Sequence, residues 1–542
     1  MHARARILTG ALVALVALVA GALATGTASG APTKPNVLFI LTDDMTSSEL
    51  AGMPNVMSQI AAKGTTFNEA YVSFPLCCPS RATLMSGQYM HNHGVHGNFP
   101  PNGSWTRFEP HETNDLPVWL HDDGYYNVHI GKYLNGYAFQ TPGLPVPPDW
   151  NEWYGKVSED ALYFNYQLIE KTTLNGTPHL TFYGDQPSDY QTDVFSDLAL
   201  NFVTDRGPAN QPFLMDLWFN SPHGPFDPAP RDLFRLAGTP LPKLPAFNEK
   251  NISDKPKWLR REARRRLTRS QIKTIDGERR RQQEQLISVD KAIGQLLATL
   301  KNEGILDDTY IIFSSDNGFF RGEHRIASGK YLPYDPASRV PLVIRGPGIP
   351  AGGVSNELVW NGDIPQTIMQ IASGAENPAA DGRSLLPFAE DPAKRSTRPI
   401  LLEGDTGPGG AGAESAQTSA QRAREARVGV AGKAGVRNLD QEPDAIKSAA
   451  NTDTAPAYRS IRTDRYEYTI YANGQSELYD MKLDPAQLRN VVRNPRYRYV
   501  RQWLYSHLVP LSTCVAAVCR AEIGPDPAPL PKKALRPKRK KR

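Results

Sequence analysis

Four short runs of mostly apolar residues punctuate the chain: "NVLFILT" (36–42), "YNVHIGK" (126–132), "PFLMDLWFN" (212–220) and "TYIIFSS" (309–315). Runs of this kind, without strict alternation, suit strands buried on both faces. The long stretches between them have helical character, so the pattern predicts a parallel sheet covered by helices. The clearest helix is read at 283–301, where Leu286, Val289, Ile293, Leu296, Leu297 and Leu300 recur at helical intervals and Gly304 comes next as a stop. Further on, "YRSIRTDRYEYTIYANGQSELYDMKLDP" alternates well enough for two strands around "NGQ", which predicts a small antiparallel sheet. The stretch 406–457 is rich in Gly, Ala and Ser, nearly lacks large apolar residues, and reads as a mobile insertion.

Each apolar run empties into polar residues. Asp43 and Asp44 come after the first, Lys132 ends the second, His223 comes after the third, and Asp316 with Asn317 after the fourth. Ligands of open parallel sheets gather at the carboxyl ends of the strands. If the four strands are parallel, these residues form one site assembled from distant sequence. Asp43, Asp44, Asp316 and Asn317 offer only oxygen donors, which select calcium or magnesium over softer metals, and the crowding of carboxylates favours calcium. An isolated Asp-Asp pair would more simply be a turn or a helix cap. The second polar pair at an equivalent strand end argues for the metal.

Composition sets the context. The 542 residues allow two or three domains, or one large α/β unit with a smaller companion. The start of the chain carries Arg4 and Arg6, an apolar stretch from about Ile7 to Leu23, then small residues around Ala28 and Gly30. This reads as a secretory signal peptide over 1–30, with an uncleaved anchor as the alternative. A secreted or extracytoplasmic chain permits disulfides, and Cys514 and Cys519 suit a local bridge. The net charge of +5 is modest, but "KWLRREARRRLTR" (257–269), "GERRR" and the C-terminal "PKKALRPKRKKR" concentrate it. These read either as solvated faces and a tail or as attraction for polyanions.

Two of the four cysteines stand side by side in "PLCCPSRATLMSG" (75–87), beside a site of hard ligands where an unmodified thiolate makes little sense. A vicinal disulfide is one reading of the pair, although its ring is strained. The stretch resembles the signature Cys-x-Pro-Ser-Arg of the type I sulfatases, in which the cysteine is oxidised to formylglycine. The register makes Cys77 the modified residue and leaves Cys78 at the variable position. The resemblance spans most of the chain through "NVLFILTDD", "GYYNVHIGKYLNGY", "SPHGPF", "SDNGFFRGEHR" and "RTDRYEY". It implies an alkaline-phosphatase-like α/β fold: a large mixed, mostly parallel sheet between helices, with a small C-terminal α+β subdomain holding an antiparallel sheet. The expected partition is a catalytic domain at 34–395, a C-terminal subdomain at 396–512 and a basic tail at 513–542.

The resemblance also implies one calcium held by Asp43, Asp44, Asp316, Asn317 and the hydrated aldehyde at position 77, with Arg81 on the hydrate and Lys132, His223 and Lys330 around the sulfate. A hydrated aldehyde carries two hydroxyls on one carbon, one to attack sulfur and one to expel sulfate. Taken singly, Lys132 and Lys330 also read as surface lysines, and His223 as a turn brace. His91, His93 and His96 are possible pocket lining or histidines satisfied by neighbouring backbone.

Many members of the family carry a histidine where this chain has Leu134. The form "GKYLNGY" instead resembles the N-acetylglucosamine-6-sulfatases and extracellular heparan endosulfatases, with Asn135 as a possible substrate contact. The expected partners are a sulfated carbohydrate or aryl sulfate and, during maturation, a formylglycine-generating enzyme. Neither a nucleic acid partner nor stable membrane insertion after signal cleavage is expected. The alternatives are a phosphodiesterase or phosphonate monoester hydrolase of the same superfamily and, further off, a non-catalytic polyanion-binding secreted protein.

Overall fold

Alternate residues of the first strand, β1 (Asn36–Thr42), enter different cores. Leu38 and Ile40 pack with Phe195, Phe202, Leu286, Ile293 and their neighbours, while Val37, Phe39 and Leu41 pack with Met85, Leu116, Ile364 and their neighbours. Helices Gln191–Arg206 and Arg269–Asn302 therefore cover one face. Helices Cys77–Ser86, Leu116–Asp122 and Asp363–Ser373 cover the other. A strand buried on both faces has no use for polar alternation, which is why β1 reads as a continuous apolar run.

The computed structural model describes residues 34–139, 141–158, 163–206, 211–405 and 455–531. The expected signal peptide, nearly all of the expected insertion and the end of the basic tail lie outside these residues.

The remaining strands of the large sheet are β2 (Thr65–Tyr71), β3 (Tyr126–Gly131), β4 (Glu152–Lys156), β5 (Tyr166–Lys171), β6 (His179–Tyr183), β7 (Phe213–Trp218), β8 (Thr309–Ser315), β9 (Leu342–Arg345) and β10 (Gly353–Trp360). They run in the order β10-β2-β9-β8-β1-β7-β3-β4-β5-β6. The four strands expected from the sequence lie side by side as β8-β1-β7-β3 and are parallel. Thr42 pairs with Ser315, and Trp218 with both Leu41 and Gly131, so all four strands end at one level. The outer strands β5, β6 and β9 run antiparallel to their neighbours, making the sheet mixed.

A second, antiparallel sheet orders β11 (Ile400–Gly404), β12 (Tyr458–Arg462), β13 (Tyr466–Tyr471) and β14 (Ser476–Asp480). The sequence predicts two of these strands. Helix Arg498–Leu511 packs on this sheet through Val500, Leu504 and Leu508. The helix expected at 283–301 begins earlier, at Arg269, where Thr268 caps it: the Gln271 N–H donates to Thr268 Oγ1 (3.2 Å) and the Thr268 N–H to Gln271 Oε1 (2.9 Å). Cys514 and Cys519 form the expected disulfide, and Cys77 and Cys78 are free thiols, which removes the vicinal disulfide.

Candidate active site

The four strand ends deliver charge into a largely buried place. Asp43, Asp316, Asn317, Arg81 and Cys77 are fully buried and Asp44 nearly so. Carboxylates so desolvated persist only with compensating charge. Arg81 Nε donates to Asp316 Oδ2 (2.8 Å), and its Nη2 lies 3.4 Å from Asp43 Oδ2. Lys132 Nζ donates to Asp43 Oδ2, and Lys330 Nζ donates to Asp44 Oδ1 (2.7 Å) and Cys77 Sγ (2.8 Å). Cys77 Sγ is 3.5 Å from Asp43 Oδ1. Nucleophile candidate, cations and acids thus share one set of atoms.

Electrostatics reflect that sharing. Burial raises the Asp43 carboxyl, but Lys132, His223, Arg81 and Lys330 outweigh it and hold Asp43 well below the ordinary range. Burial and Asp43 together raise Asp316 despite Arg81. Burial opposes the charge of Lys132, yet Asp43 and Cys77 raise its pKa. The Cys77 thiol is driven well up by burial and then by Asp43, so as a plain cysteine it is a neutral, inert thiol. Burial pushes Cys78 up to about 12.

The backbone explains how these side chains converge. Cys77 opens the helix Cys77–Ser86 and Arg81 lies one turn on, so both project from the same end. Asn98 Oδ1 accepts the Cys78 N–H (3.0 Å), and Ser80 Oγ donates to the Asp316 carbonyl (2.5 Å), tying the helix start to the end of β8. Asn361 Nδ2 donates to Ser80 Oγ (3.0 Å). Arg81 Nη1 donates to the Lys132 carbonyl (2.7 Å), which ties in the end of β3. Asp44 adopts a left-handed φ of 67°, a conformation that aspartate tolerates better than most residues, and this turns its carboxylate back toward Asn317. Sequence reasoning missed Asn98 and Asn361, which touch only backbone and Ser80 and carry no motif signal.

His223 joins the group: its Nε2 is 3.7 Å from Asp44 Oδ2, while Nδ1 lies 2.5 Å from the Gly224 carbonyl. That carbonyl can only accept, so Nδ1 carries a proton and Nε2 faces the site. One potential ligand atom from each of Asp43, Asp44, Cys77 and His223 falls within 4.8 Å of the others. Asn317 Nδ2 donates to Asp44 Oδ1 (2.5 Å), whereas its Oδ1 is buried with no donor at all. Three carboxylates and an orphaned amide oxygen are a donor set that fits a hard divalent cation.

Leu134 is buried among Trp105, Tyr133 and Tyr137, so it packs in the core. Glu112, unremarked in the sequence, holds that segment: its Oε1 accepts Trp105 Nε1–H (2.7 Å) and Tyr133 O–H (3.0 Å). The three histidines after the helix diverge. His91 Nδ1 lies 3.1 Å from Glu403, His93 is buried against Thr83 Oγ1 at 3.1 Å, and His96 Nδ1 lies 3.1 Å from Asp405. The described residues contain no helix long and apolar enough to cross a membrane.

Residues 35–375 match the family model described as Sulfatase. The human N-acetylglucosamine-6-sulfatase is 31% identical over 521 residues, covering 93% of this chain and 89% of that one. A Caenorhabditis elegans homologue of the extracellular sulfatase Sulf-1 is 35% identical over 360 residues, 65% of this chain, and the match takes in 48% of that protein. Among solved structures, a protein in complex with its substrate D-glucosamine-2-N,6-O-disulfate matches with a TM-score of 0.67 at 22% identity, covering 88% of this chain and 97% of the other. The phosphonate monoester hydrolase of Agrobacterium radiobacter matches at 0.62 and 22%, covering 88% and 95%. Both likenesses are of fold. With a family match over more than half its length and a relative of that identity along nearly all of it, the chain belongs to the sulfatase family and is a sulfuric ester hydrolase.

Proposed function

We propose that this enzyme hydrolyses sulfate esters of sulfated sugars, N-acetylglucosamine 6-sulfate in particular, or of aryl alcohols, with residue 77 as nucleophile after oxidation of Cys77 to formylglycine. The observation that carries the reading is the position of Cys77 Sγ between Lys330 Nζ and Asp43, fully buried at a helix start. An unmodified thiol held neutral there has no evident chemistry, whereas a hydrated aldehyde has two hydroxyls to use in turn. Asp43, Asp44, Asp316, Asn317 and residue 77 would hold a calcium ion, which when bound favours a deprotonated hydroxyl and draws charge from the sulfuryl oxygens. Arg81 orients residue 77. Lys132 and Lys330 offset charge on the sulfuryl oxygens, and His223, when both ring nitrogens carry protons, gives the one on Nε2 to the leaving oxygen and keeps the one on Nδ1.

The glucosamine preference rests on the names of the relatives and the substrate of the structural neighbour. A secreted or extracytoplasmic location agrees with the Cys514–Cys519 disulfide. Residues 34–395 would form the catalytic domain and 396–512 the C-terminal subdomain. The test is a screen of the matured enzyme against N-acetylglucosamine 6-sulfate, aryl sulfates, phosphate diesters and phosphonate esters. Sulfate esters should be turned over best; faster turnover of phosphonate esters would establish the second reading, which the likeness to the phosphonate hydrolase fold favours. His223→Ala should lower kcat about 100-fold for sugar sulfates and less for esters of acidic phenols, whose leaving oxygen needs no proton.

A further inference from the structure

The stretch 257–269 sets seven arginines and lysines against one acid. Its apolar residues turn inward. Trp258, Leu259 and Ala263 are buried in one cluster with Phe320, Ile326 and Tyr331, and Leu267 packs with Ile275 and Ala327. Anchored at both ends, the segment presents Lys257, Arg261, Arg264, Arg265, Arg266 and Arg269 to solvent. Among the described residues, Glu262 on Arg261 (3.0 Å) is the one carboxylate paired with any of them. Arg266 Nη2 donates instead to the Asn248 carbonyl (3.2 Å).

Adjacent arginines without acids repel one another, so a free segment would spread or turn away. Here it is tied down by another arginine. Arg325 Nη1 donates to the carbonyls of Ala263 (3.3 Å) and Arg264 (3.2 Å), its Nε to that of Glu249 (2.8 Å) and its Nη2 to that of Lys250 (2.9 Å). The turn bearing it is held in left-handed conformations at His324 and Arg325, with φ of 51° and 68°. That turn closes a loop whose ends pair, the Phe320 N–H donating to the Gly329 carbonyl (2.7 Å), and the next residue is Lys330, on Asp44 and Cys77. The basic surface is therefore fixed one loop away from the candidate nucleophile.

Resting on the sulfatase reading, we propose that Arg264, Arg265, Arg266 and their basic neighbours form a docking surface for the anionic chain of a sulfated polysaccharide, retaining the polymer while one of its esters enters the site. Guanidinium forks match sulfate oxygens in pairs, and a polymer offers several sulfates at once. A single-stranded nucleic acid would call for exposed aromatic faces on which bases stack, and the aromatic ring of this segment, Trp258, is buried.

The experiment uses the matured full chain, its Arg264→Glu/Arg265→Glu variant and the charge-keeping Arg264→Lys/Arg265→Lys variant. Each is assayed on a heparin-type polysaccharide and on 4-methylumbelliferyl sulfate as the Debye length falls from about 30 Å to about 8 Å. Retention on immobilised heparin and on duplex DNA of equal charge is measured alongside. Charge reversal should lower kcat/KM for the polysaccharide about tenfold at low salt and weaken heparin retention, while aryl sulfate turnover stays within about twofold. The lysine variant should fall between wild type and reversal. Equal salt sensitivity of both substrates, heparin retention unchanged by reversal, or duplex DNA held as tightly as heparin would each overturn the proposal. Absence of turnover on every sulfate ester would sink the sulfatase reading instead, and heparin retention would still decide the surface.

Discussion

Two buried carboxylate centres in this molecule obey opposite rules. At Glu477, within the C-terminal sheet, the side chain is 1% exposed, yet three hydroxyls saturate it: Tyr334 (2.9 Å to each oxygen), Tyr471 (2.7 Å) and Tyr479 (2.6 Å). Burial raises its pKa, and neutral donors meet the need of either charge state. At the ends of β1 and β8, three carboxylates share cations with a thiol, and Asn317 Oδ1 has no donor. A finished network stabilises; an unfinished one, with a buried oxygen that no donor meets, is built to receive something.

The comparison breaks most visibly by mutation of the proposed nucleophile. Cys77→Ala in the matured enzyme should reduce kcat by about 10⁴-fold or more with little change in Tm, while Cys78→Ser should retain most activity. Peptide mass analysis should find the aldehyde at 77 and a thiol at 78. At the other centre the effect moves from rate to stability. Glu477→Ala strands three buried hydroxyls and should cost about 3 to 5 kcal/mol in denaturant unfolding, leaving turnover of the folded fraction unchanged.

Glu112 lies between the two regimes, half satisfied through one oxygen, and burial lifts it to about 7 from an ordinary 4.5. The folded state holds this proton more tightly than the unfolded chain. Its stabilising share is therefore complete below pH 4.5 and is lost as pH rises through about 7. Glu112→Gln keeps an acceptor for Trp105 and Tyr133, so unfolding measured across that window should show the variant gaining about 3 kcal/mol on wild type toward high pH. The smallest effect concerns the orphaned oxygen. Calcium at about a hundredfold excess over its Kd should add about 2.7 kcal/mol to wild-type stability, read as a rise in Tm reversed by chelator, and much less to Asn317→Ala.

The central strands were legible because β8-β1-β7-β3 are buried on both faces and so write themselves as apolar runs. Their parallel order then made Asp43, Lys132, His223 and Asp316 neighbours by topology. The outer strands were illegible for the converse reason: β6, "HLTFY", is half exposed, and its pairing with β5 depends on partners the local pattern does not encode. The first turns of helix Arg269–Asn302 escaped because "RSQIKTIDGERRRQQ" is polar and contains Gly277. The capping box at Thr268 was the signal available there. Leu134 could be flagged as a departure, but its burial with Trp105 and Tyr137 is a tertiary fact. Asn98, Glu112 and Asn361 act through hydrogen bonds to partners set by the tertiary fold and leave no trace in composition or spacing.

The pairing of β1 with β8 also has a temporal meaning. Asn36 Nδ2 meets Thr309 Oγ1 across 273 positions, so the centre of the sheet closes only after the chain beyond β8 has been made. Residues 75–87 are made long before that closure, and until then the contacts that Lys330 makes with Cys77, and Asp316 with Ser80, are missing. The fold thus gives any enzyme that acts on this thiol a window during synthesis, and completion of the sheet is the event that shuts it.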